Sequence, residues 1–450
     1  MSAYFRRGSS SFSSHHFTTS LLLVALFHFT FSISCFSQES SKSEVYKFGR
    51  KVVDTLTSPA MHGRGYVNGG DSIAAAFIKS VFQRTGVKAF ENRYYQKVTF
   101  PVNVIDDVDL YVDGKALYPG KDYLPNAGAP ARSGKAEVVY VDEALLDKKK
   151  LKKFMKLKLD DKILVISDTG KQDPQFRLLP KAKMTVWLKD KLTWDVSQQQ
   201  LPDVEFDVLR SAMPSIPKEM SFSVRSHLIP NHKTQNVIGY IPGYDYKDSF
   251  IVFTAHYDHL GQLGKSVYFP GANDNASGCA MLLNLAKYYN KLENRPKYTI
   301  VFIAFCGEEA GLLGSKYFVN DPVFPLKNIK FLLNMDIMGT GEDGITVVNG
   351  SVYKKEFDKL KELNTVLPDS TSKSTVPYDL LKDVKIRGKA ANSDHYMFSE
   401  KGVKAFFIYT MGGIKAYHDI YDKSETLPLN EFDDLFRLIT RFCDYLQFGK

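Results

Sequence analysis

The sequence predicts an α/β protein in which a domain with a mixed, mostly parallel central sheet is interrupted by a β-rich insertion. Four continuous apolar runs are typical of strands covered on both faces: 251–253, 300–305, 331–333 and 405–408. Apolar residues at helical spacing lie between the first two runs: Met281, Leu282, Leu285, Tyr288, Tyr289 and Leu292. Between 102 and 232, short β-like runs alternate with turn signals, which indicates a separate β-rich unit.

Before the insertion, residues 44–87 have a helical pattern, broken by glycine and proline at 58–65. We therefore divide the chain after its leader into 38–101, the N-terminal part of the main domain, the insertion 102–232, and the core 233–450. The alternative is that 102–232 is an elaborated part of one single domain.

The first 37 residues have the three parts of a secretory signal peptide. Two arginines precede an uncharged apolar stretch at 21–29, and small residues follow it. We predict export, with cleavage after Ser37. Two alternatives remain open: an uncleaved 17–36 segment is about long enough to span a bilayer, and Cys35 could carry a lipid anchor.

Composition favours a globular protein that does not bind nucleic acid. The chain has 450 residues, 44% apolar and 24% charged, with a formal charge of +9 that is modest for this length. One dense basic run, at 148–158, is interrupted by apolar residues at near-helical spacing. We interpret it as a solvated helix face rather than a phosphate-binding surface.

Four cysteines are too few for a disulfide scaffold. Removal of the signal leaves Cys279, Cys306 and Cys443, so at least one thiol is free or pairs between chains. The apolar surroundings of Cys279 and Cys306 predict small buried hydrophobes rather than metal ligands.

Histidines and carboxylates follow the apolar runs in order. His256, the pair Glu308 and Glu309, and Asp336 come after the first three runs. Asp274 lies in a Gly/Asn/Ser loop before the predicted helix, and His418 lies beyond the fourth run. Each alone has an ordinary explanation, such as a helix cap or a solvated helix start. Because open α/β sheets place sites beyond the carboxyl ends of their strands, the series predicts one site.

The chemistry of these groups indicates two divalent metals. Imidazoles and carboxylates without thiolates suit zinc, with cobalt or manganese as substitutes. A catalytic zinc takes about three protein ligands, so two ions sharing one bridging carboxylate need five residues. The sequence supplies five candidate ligands: His256, Asp274, Glu309, Asp336 and His418. Glu308 is left as a general base, and Asp258 as the partner of the His256 ring. The predicted reaction is hydrolysis by metal-activated water.

These motifs resemble the zinc-dependent exopeptidases of the bacterial leucyl aminopeptidase and aminopeptidase Y type, a family that includes glutamate carboxypeptidase and glutaminyl cyclase. The matching segments are 58–65, 236–243, 255–261, 271–278, 307–315, 334–336, 393–395 and 417–418. The resemblance implies a three-layer αβα domain. It also implies one zinc held by Asp274, Glu309 and His418 and a second held by His256, Asp274 and Asp336. The insertion resembles a protease-associated domain.

The resulting hypothesis is an exported di-zinc aminopeptidase that removes N-terminal residues from peptides through a metal-bridging hydroxide, with Glu308 as base. Alternatives are a carboxypeptidase, dipeptidase or glutaminyl cyclase of the same family, or a binding protein on an inactive scaffold. The expected partner is a peptide, with no nucleic acid and no membrane contact beyond an N-terminal anchor. The stretch 387–392 lacks the tyrosine that some relatives carry there, so the oxyanion donor stays unassigned.

Overall fold

A computed structural model describes residues 42–167, 173–265, 267–365 and 380–449. The predicted signal peptide, with Ser37 and Cys35, lies outside the described residues. Among the helices in those ranges, none has the length and apolar character needed to cross a bilayer.

The N-terminal part forms two helices around a tight loop, as the sequence predicts. Helix α1 (Glu44–Leu56) starts at Ser43, whose hydroxyl accepts a hydrogen bond from the Tyr46 amide. A 3-10 turn (Pro59–Arg64) follows, and then helix α2 (Gly70–Arg84). Helix α2 buries its apolar face against the strand at 219–241, whereas α1 buries its apolar face mainly against the helix at 277–289, and this packing stabilises them.

The central sheet of the core is mixed and mostly parallel. The core strands are β8 (Glu219–Ile241), β9 (Tyr246–His256), β12 (Tyr298–Phe305), β13 (Ile329–Met335), β14 (Ile345–Val348), β15 (Val384–Ile386) and β16 (Ala405–Thr410). Their order in the sheet is β15-β14-β16-β13-β9-β12-β8. Strands β9, β12, β13 and β16 are mutually parallel along this path, whereas β8 and β14 run antiparallel to their neighbours β12 and β16. All four predicted apolar runs lie within these strands.

Helices cover both faces of this sheet. Alternate residues of β9 enter two different apolar clusters, with Ile251 and Phe253 on one face and Phe250 and Val252 on the other. The helices are α4 (Ser277–Tyr289), α5 (Leu313–Asn320), α6 (Lys354–Leu363), α7 (His395–Glu400) and α8 (Phe432–Phe448). The three-layer prediction is therefore confirmed. Leu292 was wrongly included in the α4 pattern, since α4 ends at Tyr289 and Leu292 is 83% exposed.

The inserted part is joined to the core by a long two-stranded ribbon. Strand β1 (Tyr95–Val112) pairs antiparallel with β8 over almost its whole length. Both expected boundaries, 102 and 232, fall inside these continuous strands. Further strands are β2 (Lys115–Ala116), β3 (Tyr123–Pro125), β4 (Arg132–Asp142), β5 (Leu159–Ser167), β6 (Ala182–Lys189) and β7 (Glu205–Leu209). The basic run forms the short helix α3 (Lys148–Phe154), with exposed lysines and a buried Phe154.

The apolar core of the insertion continues onto the main domain. Leu260, Leu263 and Phe269, which lie between β9 and α4, pack in the same cluster as insertion residues such as Trp194 and Phe206. A small ribbon of β10 (Gln262–Leu263) and β11 (Val267–Tyr268) lies in this region. The insertion therefore rests on loops that follow the predicted site motif at His256.

Candidate metal centre

The predicted site residues meet at the carboxyl ends of the parallel strands. His256 ends β9, and Asp336 follows β13 directly. Glu308 and Glu309 lie just past β12, and Asp274 lies in the turn before α4. This convergence is the arrangement expected of parallel strands at one sheet edge.

The five candidate ligands form two sets that share Asp274. His256 Nε2 is 3.3 Å from Asp274 Oδ1 and 3.3 Å from Asp336 Oδ1. On the other side, His418 Nε2 is 3.2 Å from Asp274 Oδ2 and 3.1 Å from Glu309 Oε2. Each oxygen of Asp274 thus faces a different imidazole, which is the geometry of a bridging carboxylate.

Both imidazoles are oriented as metal binding needs. His256 Nδ1 is 3.2 Å from the Asp258 carbonyl oxygen, and His418 Nδ1 is 2.9 Å from the Trp194 carbonyl oxygen. A carbonyl can only accept, so both Nδ1 atoms donate their proton. With Nδ1 held by a carbonyl oxygen, the Nε2 atom of each ring faces the carboxylates and would bind a metal once its proton is lost.

The spacing of these atoms fits zinc. Ligand atoms bound at about 2.0–2.1 Å to a tetrahedral ion lie about 3.3 Å from one another, close to the four distances above. One nitrogen of His256 and one oxygen each of Asp274 and Asp336 lie within 4.8 Å of one another. A similar group is formed by Asp274, Glu309 and a nitrogen of His259. The residues present thus fit two divalent ions that share Asp274.

Two of the candidate ligands, Asp274 and Glu309, have carboxyl pKa values below the ordinary value. Burial favours a higher pKa for Asp274, but the hydrogen bonds from His256 and His418 hold that pKa well below its ordinary value. Burial and Asp274 likewise favour a higher pKa for Glu309, and His418 and His259 lower it to about 2. Both carboxylates are therefore ionised at neutral pH, as metal ligands must be.

Glu308 has the opposite electrostatics. Burial, together with Asp336, Glu309 and Asp394, raises its pKa well above the ordinary value, although His256 acts to lower it. A carboxyl group with a raised pKa is suited to accept and return a proton near neutral pH.

Asp258 holds the backbone of the glutamate pair. Its carboxylate accepts hydrogen bonds from the amides of Glu308 and Glu309, each at 3.2 Å, and from the Tyr66 hydroxyl at 2.6 Å. The carboxylate is 3.8 Å from His256 Nδ1, farther than its own main-chain oxygen. The direct acceptor of the His256 ring proton is thus the Asp258 carbonyl oxygen, with the carboxylate beside it.

Two residues fix the loop that carries Asp274. Asp422 accepts the amide protons of Asn273 and Asp274 at 2.9 Å, and burial raises its pKa to about 7. Arg64 is fully buried and donates to the carbonyl oxygens of Gly271 at 2.8 Å and Asp274 at 3.1 Å. Together they hold this loop in place, because Asp422 accepts from its amides and Arg64 donates to its carbonyl oxygens.

Two more residues orient the outer ligands. Ser393 donates to Asp336 Oδ2 at 2.9 Å and accepts from Asn334. His259 Nδ1 is 2.6 Å from Glu309 Oε1, so that Glu309 Oε2 is left to face His418.

Sequence reasoning assigned no role to several of these groups: Arg64, Tyr66, His259, Trp194, Ser393 and Asp422. Arg64, Ser393 and His259 lie within the motifs that carry the family resemblance, so their motif position was a usable signal. Tyr66 and Trp194 had none, because each reaches the site from a segment with no metal-binding pattern.

Comparisons with known proteins find similarity to peptidases. Residues 236–443 match the model of Peptidase family M28. Aminopeptidase YwaD of Bacillus subtilis is 32% identical over 183 residues, which cover 40% of this chain and 36% of that protein. A probable zinc metalloprotease of Leptosphaeria maculans is 33% identical over 141 residues, covering 30% of each protein. The matched segments thus span about a third of these curated relatives.

Solved structures share the fold over most of the chain. A zinc aminopeptidase from Bacillus subtilis, BSAP, superimposes with a TM-score of 0.65 at 20% identity, covering 89% of this chain and 94% of that one. A peptidase M28 precursor from Shewanella amazonensis gives a TM-score of 0.65 at 17% identity, with coverages of 92% and 95%. The fold, the site and the motif match are those of a metallopeptidase. Over residues 236–443, the chain resembles Peptidase family M28.

Proposed function

We propose that the protein is an exported di-zinc aminopeptidase. The observation that carries the proposal is Asp274, whose two oxygens face His256 and His418 at 3.3 and 3.2 Å, while Glu308 is left over beside them. When bound, two zinc ions would polarise the scissile carbonyl and lower the pKa of a water molecule.

The residues of this chain would then do the remaining work. Glu308, with its raised pKa, would accept the proton of the attacking water and pass it to the leaving amine. Asp258 would fix the backbone of that glutamate through two amide hydrogen bonds. Metal binding itself would be assigned to His256, Asp274, Glu309, Asp336 and His418.

The negative charge of the site supports cleavage at the N-terminal rather than the C-terminal end of a peptide. The acidic groups close to the ligands, Asp258, Glu308 and Asp394, act on one another electrostatically inside the site. This acidic environment favours the ammonium end of a peptide over its carboxylate end. Peptides with a free amino terminus are therefore the proposed substrates.

The first experiment combines metal content with a substrate panel, using the chain without residues 1–37. We expect two zinc ions per chain and cleavage of aminoacyl amides but not of N-blocked analogues. Turnover only of C-terminal substrates, or only of N-terminal glutamine, would replace the aminopeptidase assignment with a carboxypeptidase or cyclase. A chain without metal and without turnover would indicate an inactive scaffold.

Two variants test the residue roles. Glu308→Gln should keep both zinc ions and lower kcat by about 10²–10⁴-fold, because it removes only the proton acceptor. Asp274→Asn should lose both ions, because it weakens the shared ligand. The exposed Glu293→Gln is the matched control and should retain full activity. Full activity in Glu308→Gln would refute the base assignment, and two tightly held ions in Asp274→Asn would refute the bridge.

Export is proposed from the signal-like composition of residues 1–37. N-terminal sequencing of the protein recovered outside the expressing cell should give a chain that starts at Gln38. Retention of the whole chain inside the cell would contradict export.

A further inference from the structure

One stretch of the insertion lies against the metal centre. Residues 191–198, called the strap below, lie in the connection between β6 and β7. Trp194 anchors the strap, since its side chain is buried and its Nε1 donates to the Pro125 carbonyl at 2.9 Å. The indole also stacks on Phe269, with ring centroids 4.9 Å apart, just before the Asp274 loop.

The strap forms a reciprocal backbone contact with a predicted metal ligand. The Trp194 amide donates to the His418 carbonyl at 2.9 Å, and His418 Nδ1 donates to the Trp194 carbonyl at 2.9 Å. Asp195 Oδ1 lies 3.4 Å from the same Nδ1. These contacts fix the orientation of the His418 ring and aim its Nε2 at Asp274 and Glu309.

Further contacts tie the strap to the two loops beside this ligand. Lys191 Nζ lies 3.3 Å from the Asp419 carboxylate and donates to the Lys415 carbonyl at 2.8 Å. At the other end of the strap, Gln198 Nε2 donates to the Ala310 carbonyl at 2.7 Å, directly after Glu309.

The contacts of the strap favour one of the two sets of candidate ligands. They reach the loops that carry Glu309 and His418. Within the described ranges, no hydrogen bond or ion pair joins the strap to His256 or Asp336. Loosening the strap should therefore affect one metal position more than the other.

We propose that the strap positions His418 and Glu309, so that the insertion sets the metal affinity of the set formed by Asp274, Glu309 and His418. This inference rests on the proposed function, because it requires the site to bind zinc. Groups that hold a metal-ligating histidine by its other nitrogen typically change metal affinity by about 10–100-fold. Strap residues are positioning residues and do not themselves contact the metal.

A pair of matched double variants tests this. Lys191→Met with Asp195→Asn removes the strap's ion pairs to the His418 loop. Lys189→Met with Asp190→Asn removes the same charges from neighbouring positions. The control residues pair within the insertion, Lys189 with Asp207 at 4.0 Å and Asp190 with Arg210 at 3.2 Å. Both double variants keep the net charge of the chain unchanged.

The readout is stepwise zinc affinity of the metal-free protein, measured by chelator competition, together with the Co²⁺ absorption spectrum and the Tm of the metal-free protein. The strap variant should bind one of two zinc ions about 10-fold more weakly and should change the Co²⁺ spectrum. The control should match the wild type in both. A change in Tm without a site-selective change in affinity would overturn the positioning role and leave only a structural one.

A second pair removes the anchor itself. Trp194→Ala should weaken the same zinc ion, whereas Trp187→Ala should not, because Trp187 packs in a separate cluster of the insertion. Wild-type zinc affinities in the strap double variant would refute the inference alone. Absence of zinc binding in the wild type would instead refute the proposed function, and the inference with it.

Discussion

Arg64 supports the fold and the metal centre at once, and Arg64→Lys should destabilise both. The guanidinium donates to five buried carbonyl oxygens, those of Leu56, Tyr257, Pro270, Gly271 and Asp274. Burial lowers its pKa, and nearby Asp274, Asp422 and Asp258 favour its charged form. One side chain thereby joins the N-terminal helices to the loops after β9.

The magnitude follows from counting donors. A lysine ammonium has three donors on one atom, so at least two of the five hydrogen bonds must be lost. Each hydrogen bond to a charged group contributes about 1.5–3 kcal/mol, which gives a loss on the order of 3–6 kcal/mol. Since domains are stable by about 5–15 kcal/mol, this variant should lose a large share of its stability.

The assay is denaturant unfolding of the metal-free protein, followed by zinc titration of the folded fraction. Arg64→Lys should lower the free energy of unfolding and weaken zinc binding, because two of its bonds hold Gly271 and Asp274. The control is Arg84→Lys on the exposed end of α2, which should change stability by less than about 0.5 kcal/mol. Wild-type stability and zinc affinity in Arg64→Lys would refute the reasoning.

Three further predictions concern thiols, a buried hydroxyl and protons. The native protein without residues 1–37 should not react with thiol reagents until it unfolds, since burial raises the pKa of every thiol in the described ranges: Cys279, Cys306 and Cys443. Fast labelling without unfolding would contradict this. Tyr66→Phe should lower the free energy of unfolding by about 1–3 kcal/mol, because it removes the hydroxyl that donates to the buried Asp258 carboxylate. The control is Tyr118→Phe at an exposed position, and equal stability of the two variants would disprove the contact. Zinc binding should release protons and weaken as pH falls, because both His256 and His418 must be neutral to bind. Burial lowers the pKa values of both rings, but neighbouring carboxylates raise them further, so the rings hold protons that zinc must displace. Calorimetry in buffers of different ionisation enthalpy measures the protons released, and zero proton release would contradict the prediction.

Much of the fold was predictable because local rules dominate it. The apolar runs at β9, β12, β13 and β16 are buried on both faces, so their hydrophobicity is continuous and visible in the sequence. The turn at 58–65 was predictable from its glycines and proline. The boundaries of the insertion were less visible, because β1 and β8 are long strands that cross between the two parts without a break.

The candidate ligands were also predictable, because each follows a recognisable element. The group that accepts the ring proton of His256 was only partly predictable. Asp258 was chosen for its carboxylate, whereas the structure brings its carbonyl to 3.2 Å and turns the carboxylate toward the amides of Glu308 and Glu309. A two-residue spacing fixes which residues are near each other, but the local backbone decides which oxygen faces the ring.

The sequence by itself determined the elements, the types of candidate ligand and their order, since hydrophobic periodicity and motif spacing are local properties of the chain. Only the tertiary structure decided what holds the ligands in place. Arg64, Tyr66 and Trp194 come from an N-terminal loop and from the insertion, and their hydrogen bonds to Asp274, Asp258 and His418 join residues 192 to 224 positions apart. Such contacts depend on how separate segments pack, and packing at that range leaves no periodic trace in a single sequence.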